Sequence, residues 1–516
     1  MKKLILIILI LILILAGILI IKTITYPFVK IKDEEKSAQP IVESVSDSAL
    51  YRFSQGIKIP TVSVGELGVF NFEPFEQLVT YLKSAYPEVH RNTQQYTVNN
   101  GFGHVYIWKG KNSSLKPILF LSHIDVVTPG DAPVKNETSD NIFQPQDKPL
   151  PSPTEIAKEW EYGPFSGAVA GGRIYGRGTM DMKGMLFSLM ESMTALMKSG
   201  FVPERDIYLA LGCDEEVGGL RGAKKIAEDF KSKGLTFDAV FDEGGVVMQK
   251  GALDGVNTDV ALIGLAEKGF LSAKIKVNGL GGHSSIPPLQ SAIGKAAVIM
   301  QRLETEQMKP TLTPLIKDFF QNVGGEMPFT SRMAIANTWL LEPILLKQLT
   351  KTNTTNALIR TTTALTMMKG SDGTNVLSPQ VEFVVNFRIL PGNTIEEVKK
   401  HIAKACEGFD TEVEEIDNTR KASKVSPTNA RGYKIIAKTI KSIYPDALIT
   451  PYLTLGGTDS YKYEIVSDNV YRFIPFAINN YEQQSIHSTN EYISIENYGR
   501  MIKYFGSIMK EYDMPE

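Results

Sequence analysis

The sequence predicts an α/β domain with a mostly parallel central sheet, a smaller α+β domain of βαββαβ order inserted into it, and one N-terminal transmembrane helix ahead of both. Three observations predict this. Leu4–Ile21 runs for eighteen residues without a polar side chain. Apolar strand-like runs alternate with helical periodicity from residue 117 to 241, and the pattern resumes after Pro427. Between them lies a strand–helix pattern of a different order. The chain of 516 residues has room for about three domains. The boundaries read as 1–22 for a membrane anchor, 23–48 for a tether, 49–266 and 421–516 for the two parts of the larger domain, and 267–420 for the smaller one, with an insertion at 305–360.

As a helix, Leu4–Ile21 spans roughly 27 Å, close to the ~30 Å hydrocarbon core of a bilayer. A signal peptide has a shorter apolar region ending in small residues. Here Ala16-Gly17 is followed by more isoleucine, so an uncleaved anchor is the preferred reading and a cleaved, secreted form is its rival. Lys2 and Lys3 keep the N-terminus cytoplasmic and the body outside, although Lys22, Lys30 and Lys32 weaken that asymmetry. Residues 30–48, rich in Lys, Glu, Ser and Asp, read as the solvated part of the tether.

In the larger domain, Pro117–Ser122, Asp206–Gly212 and Phe237–Phe241 read as buried strands. Met185, Leu186, Leu189, Met190, Met193, Leu196 and Met197 fall at helical spacing and read as helix core. Helix 220–233 follows, and helix 431–443 after the smaller domain. In the smaller domain the order is strand 270–277, helix 291–303, strands 365–369 and 381–390, helix 394–406 and strand 411–416. Residues 128–158, with six prolines, read as a long surface loop.

Composition narrows the function. The chain is 43% apolar, and 57 acids nearly balance 55 bases, which argues against a protein built to bind nucleic-acid phosphates. Two cysteines are too few for a disulfide framework or a cysteine-ligated zinc. Cys213 stands beside acids without a histidine near it in sequence and reads as an inert packed thiol. Any metal must be held by carboxylates and by some of only six histidines.

The acids and histidines fall where strands end. The first strand runs into His123-Ile124-Asp125, the second into Asp214-Glu215-Glu216 and the third into Asp242-Glu243-Gly244-Gly245. Gly176-Arg177-Gly178-Thr179-Met180-Asp181 leads into a helix, and His487 lies in a turn near the C-terminus. Each alone is an ordinary solvated turn or helix cap. Together they converge beyond the carboxyl ends of a parallel sheet, where ligands sit. So many carboxylates repel one another without a cation, and carboxylate plus imidazole suits zinc and related divalent metals.

On these motifs the chain resembles the co-catalytic zinc peptidase family of carboxypeptidase S, aminoacylase-1, acetylornithine deacetylase and succinyl-diaminopimelate desuccinylase, over roughly residues 50–510. Trp160–Phe165 with Ser166-Gly167, Tyr175–Gly178, Asp214–Gly219, Asp242–Gly245 and Asn337-Thr338-Trp339 are most similar to the carboxypeptidase S branch, which includes N-fatty-acyl-amino-acid hydrolases. The resemblance implies two zinc ions per subunit, one held by His123, Asp181 and Asp242, the other by Asp181, Glu216 and His487, with Asp181 bridging. It implies Asp125 as the carboxylate that orients His123, Glu215 as the general base, and a cis peptide after Asp181. From the lid, as the smaller domain is called in this family, it implies His283 as an oxyanion donor, in some relatives from a partner subunit. It also implies Arg388 as the ligand of the substrate carboxylate, Asn337 as a further lid contact, and a loop of Gly456, Gly457 and Thr458 closing over that carboxylate.

The expected activity is hydrolysis of an amide to release an amino acid with a free carboxylate. A carboxypeptidase acting on small peptides is the first reading. An N-acyl-amino-acid hydrolase, long acyl chains included, is the alternative, and a catalytically dead binding protein on the same fold is a remote one. A homodimer is possible.

Overall fold

The computed structural model describes residues 1–30, 44–65 and 70–514. Half of the expected tether, residues 31–43, falls outside these residues. Four strands form the centre of a 10-stranded sheet: Ile207–Gly212, Ile118–His123, Ala239–Asp242 and Val470–Arg472, in that spatial order and all parallel. The first three are buried along their whole length, which is why their sequences are continuous apolar runs instead of alternating ones. Their carboxyl ends share one edge, so the acids and His123 that follow them meet there.

The centre is parallel as expected, and antiparallel strands on both flanks make the whole sheet mixed. Gly103–Trp108 runs antiparallel to Ile207–Gly212, and Gln94–Val98 antiparallel to Gly103–Trp108. Asn99, Asn100 and Gly101 all take positive φ, which makes the tight reversal between those two strands. On the other side Val260–Glu267 is antiparallel to Val470–Arg472 and to Val247–Met248, and parallel to Leu448–Thr454. Helix Lys183–Lys198 buries Met185, Met190 and Met193 and packs against the C-terminal helix Ile495–Glu511 and strand Ile118–His123.

A second sheet, antiparallel throughout, has the order Thr362–Lys369, Gln380–Ile389, Gly269–Asn278, Thr411–Arg420. Helices Ala292–Thr305 and Ile395–Cys406 pack on it and share a separate core with Leu271, Ile275, Phe383 and Phe387. The Thr394 hydroxyl and Glu397 carboxylate close a capping box at the start of the second helix. This is the βαββαβ order read from the sequence.

Residues 305–360 behave differently from a simple elaboration of that smaller unit. Helices Pro314–Val323, Phe329–Ala336, Thr338–Leu349 and Asn353–Ile359 turn toward the larger sheet, and Leu315, Ile316, Phe319, Phe320 and Val323 join its core. The N-terminal helix Lys2–Thr25 is long and apolar enough to cross a membrane, and its first turns are exposed. Its last turns lie against Phe329–Ala336.

Candidate active site

His123 is the last residue of its strand and is buried. Its Nδ1 lies 3.0 Å from the Asp125 carbonyl and 3.3 Å from Asp125 Oδ1. That contact orients the ring so that Nε2 faces Asp181 Oδ1 at 3.0 Å and Glu243 Oε1 at 3.3 Å. Asp125 does a second job. Its two carboxylate oxygens accept the backbone N–H groups of Glu215 and Glu216, both at 3.1 Å, which fixes the turn carrying both glutamates. The other oxygen of Asp181, Oδ2, lies 2.9 Å from His487 Nε2, which is 3.1 Å from Glu216 Oε2.

Two groups of three therefore share one carboxylate: His123, Asp181 and Glu243, and Asp181, Glu216 and His487. The Asp181–Met182 peptide is cis, as the resemblance implies. His487 takes a positive φ of 62°, a conformation uncommon outside glycine, and that turn aims its ring at Asp181.

The electrostatics fit a cation site. Burial pushes the Glu215 carboxyl well above its ordinary value, His123 opposes that, and Asp459, Glu243 and Glu216 add repulsion. Burial and Asp181 raise Glu216, and the same two causes take Glu243 to about 8. Burial also works against Asp181, but hydrogen bonds from His123 and His487 hold it below the usual carboxylate range. Hydrogen bonds to Asp181 and Glu216 push His487 up to about 10. Glu216 Oε1 is buried without a hydrogen-bond partner, and the nitrogen–carboxylate donor set suits divalent cations of the zinc class.

Of Asp242 and Glu243 it is Glu243 whose carboxylate stands beside His123, at 3.3 Å, while Asp242, the expected ligand, keeps Oδ2 buried without a hydrogen-bond partner. Asp242 is held in the strand, opposite Arg472, with its carbonyl accepting Phe473 N–H at 2.8 Å. Burial raises its carboxyl to about 7, Asp459 and Glu267 repel it, and Arg472 attracts it. Glu243, one residue past the strand, is free to turn to the cluster.

Other expected residues sit elsewhere. Asn337 is buried against the N-terminal helix, donating to the Leu19 carbonyl at 3.1 Å and the Thr23 hydroxyl at 3.2 Å. The Thr458 hydroxyl donates to Glu267 Oε1 at 2.6 Å and its N–H to Oε2 at 3.3 Å. Thr458 thus ties this loop to Glu267. Gly456 and Gly457 lie in the same loop, and Gly457 comes so close to Arg420 that a side chain there would crowd the guanidinium. His283 is exposed on the short strand Gly282–His283, with Nδ1 2.8 Å from the Ser285 hydroxyl, and meets none of the cluster residues. Arg388 is half-buried over the Phe270 ring with no acidic partner among the described residues. Burial and Arg420 lower its pKa.

Sequence reasoning assigned no role to two buried acids that organise the site. Glu491 accepts Arg177 Nη1 at 2.6 Å, Met180 N–H at 2.8 Å and Gly178 N–H at 3.1 Å, tying the loop that presents Asp181 to the turn that presents His487. Glu267, at the chain crossing between the two sheets, accepts Arg472 Nε at 2.6 Å and the Ser460 hydroxyl at 2.8 Å. Its four-residue proximity to His487 in sequence is the one signal that pointed to Glu491. Glu267 left none, since its partners lie about 150 to 200 residues away.

Comparison with known proteins agrees with this architecture. The description Peptidase family M20/M25/M40 matches residues 150–511. A probable carboxypeptidase S-like protein of Dictyostelium discoideum is 33% identical, over 95% of this chain and 91% of that one. An N-fatty-acyl-amino acid synthase/hydrolase of Xenopus tropicalis is 32% identical, over 97% and 93%. The crystal structure of an M20 family metallo-carboxypeptidase from Sulfolobus solfataricus has the same fold, with a TM-score of 0.65 at 20% identity, covering 91% of this chain and all of that one. With ligand-type side chains converging at the strand ends, the chain belongs to the M20 peptidase family, in its carboxypeptidase S and N-fatty-acyl-amino-acid hydrolase branch, and is a metal-dependent hydrolase.

Proposed function

We propose that the protein is a two-zinc amidohydrolase that releases an amino acid with a free carboxylate, in the first instance from small peptides. The observation that carries this is Asp181, whose two oxygens face two separate ligand groups. His123 and Glu243 complete one group, and Glu216 and His487 the other. When bound, the metal pair supplies Lewis acidity and a water of lowered pKa.

The chain's own residues do the rest. Asp125 fixes the His123 ring and the Glu215–Glu216 turn. Glu215 makes no ion pair among the described residues, and burial raises its carboxyl, which suits a group that must both take and return a proton near neutral pH. It takes the proton of the attacking water and delivers it to the leaving amide nitrogen. Arg388, a half-buried cation lacking an anion, pairs bidentately with the α-carboxylate of the substrate.

His283 serves as oxyanion donor from a second subunit. Its exposure in its own chain favours that, as does an unpaired sheet edge at Thr362–Lys369 with Met367 and Met368 exposed. The Lys2–Thr25 helix is an uncleaved anchor holding the body on the extracytoplasmic side. An N-acyl-amino-acid hydrolase is the second reading, favoured by the similarity to N-fatty-acyl-amino acid synthase/hydrolases.

A panel of dipeptides and N-acyl amino acids, each with a free and an amidated carboxylate, tests the proposal. Free-carboxylate substrates should be cleaved and amidated ones should not, with Glu215→Gln abolishing turnover. Equal cleavage of both forms contradicts it, and strong preference for long acyl chains selects the second reading.

A further inference from the structure

We infer that the outward face of helix Thr338–Leu349 rests on a lipid bilayer, in the boundary between headgroups and acyl chains. The insertion, and not the N-terminal helix alone, then seats the enzyme on the membrane. The helix buries Leu345 and Leu349 on the side toward the body. Its opposite side is also apolar over the first two turns: Trp339 is 56% exposed, Ile344 64%, and Leu340 and Pro343 lie between them, with exposed Lys347 following one turn on. A helix apolar on both sides has a second apolar neighbour.

The neighbour is identified by what adjoins this face. Asn337 Nδ2 donates to the Leu19 carbonyl and the Thr23 hydroxyl, which clamps the start of the helix to the last apolar turn of Lys2–Thr25. Pro27 and Val29 then hydrogen-bond to Gln321, so the chain leaves along the insertion. Lys22, the first charge after the apolar run, sits 5.0 Å over the Trp339 ring. If Leu4–Ile21 fills the hydrocarbon core, Trp339 and Lys22 lie at the level of the headgroups, where tryptophan and lysine anchor membrane proteins. Leu340, Pro343 and Ile344 continue the same apolar surface sideways. The inference rests on the reading of Lys2–Thr25 as a bilayer helix, and its test separates the two.

Trp108 and Trp160, the other two tryptophans, are buried in the body, so lipid-borne quenchers read Trp339 alone. The full chain is reconstituted into phosphatidylcholine vesicles brominated either near the headgroup or near the chain ends. Flotation and N-terminal sequencing are done in parallel. Shallow bromines should quench the emission that disappears in Trp339→Phe, and deep ones should quench it much less. In a Leu340→Glu/Ile344→Glu variant that still floats, shallow quenching should fall by about half or more. A floating chain that neither lipid quenches overturns the inference and leaves the anchor intact. So does a dimer whose cross-links map to Trp339 and Ile344, which would make a second copy the neighbour. A chain found cleaved after residue 21 overturns the anchor reading. The inference then stands only if that shortened chain still binds vesicles with Trp339 quenched, and falls if it does not. A chain that does not float overturns both.

Discussion

Glu491 offers a test of how the site is held together. Its carboxylate is fully buried, pairs with an equally buried Arg177 at 2.6 Å and accepts the N–H groups of Gly178 and Met180. Glu491→Gln keeps the shape but leaves the Arg177 charge without a counter-ion. Breaking a buried pair in this way costs about 3–5 kcal/mol. Arg177 keeps its bond to the Ser488 carbonyl and its place over Trp160, so the lower end of that range is expected. Removing both charges, as in Arg177→Met/Glu491→Gln, leaves no unpaired ion and should cost less than the two single changes summed. A double-mutant cycle from urea unfolding should therefore give a coupling of about 2 kcal/mol or more. Because the pair bridges the Asp181 loop and the His487 turn, Glu491→Gln should also weaken metal retention during dialysis. Additive single effects, with a coupling below about 0.5 kcal/mol, would refute the bridging role.

Three further outcomes follow from the geometry. Glu243→Ala should lose one of the two metal equivalents while Asp242→Asn keeps both, read by elemental analysis of the purified proteins, and the reverse pattern would restore Asp242 as the ligand. Arg388→Ala should lower kcat/KM on free-carboxylate substrates by roughly 10- to 150-fold, the equivalent of about 1.5–3 kcal/mol for a charge-assisted hydrogen bond, mostly through KM; an unchanged KM counts against the anchor. Glu267 bears on pH. Burial pushes its carboxyl up, but Arg472 and Arg420 outweigh that and hold it below the ordinary value. The unfolded chain then binds more protons, so the stabilisation is complete above the unfolded value of about 4.3 and is lost as pH falls through the folded one. Glu267→Gln should flatten the acid limb of a Tm-versus-pH curve, and an unaltered limb would remove Glu267 from the account.

What the sequence discloses and what it hides have separate physical causes. Short-range features are legible. Ile207–Gly212 and Ile118–His123 read as buried strands because a parallel strand covered on both faces is apolar throughout. The methionines of Lys183–Lys198 read as core because helical spacing puts them on one face. His123, Asp181, Glu216 and His487 were legible as a set because they follow such elements. Choosing between Asp242 and Glu243 was not, since it depends on the strand pairing of Asp242 with Arg472, 230 positions on. The bond of Asn337 to the N-terminal helix is hidden for the same reason, being a contact across 318 positions. The antiparallel flank is signalled by Asn99-Asn100-Gly101, a turn sequence that suits the positive φ of a tight hairpin.

The central claim is that two ligand groups joined by Asp181 form one hydrolytic centre. The most direct measurement is the metal content of the full chain, taken together with amide hydrolysis before chelation, after it, and after zinc is returned. The account predicts two zinc equivalents per chain, loss of activity with their removal and recovery with their return. It also predicts that Asp181→Ala holds fewer than two and hydrolyses nothing. Full activity in metal-free protein, or two equivalents retained by Asp181→Ala, would contradict it.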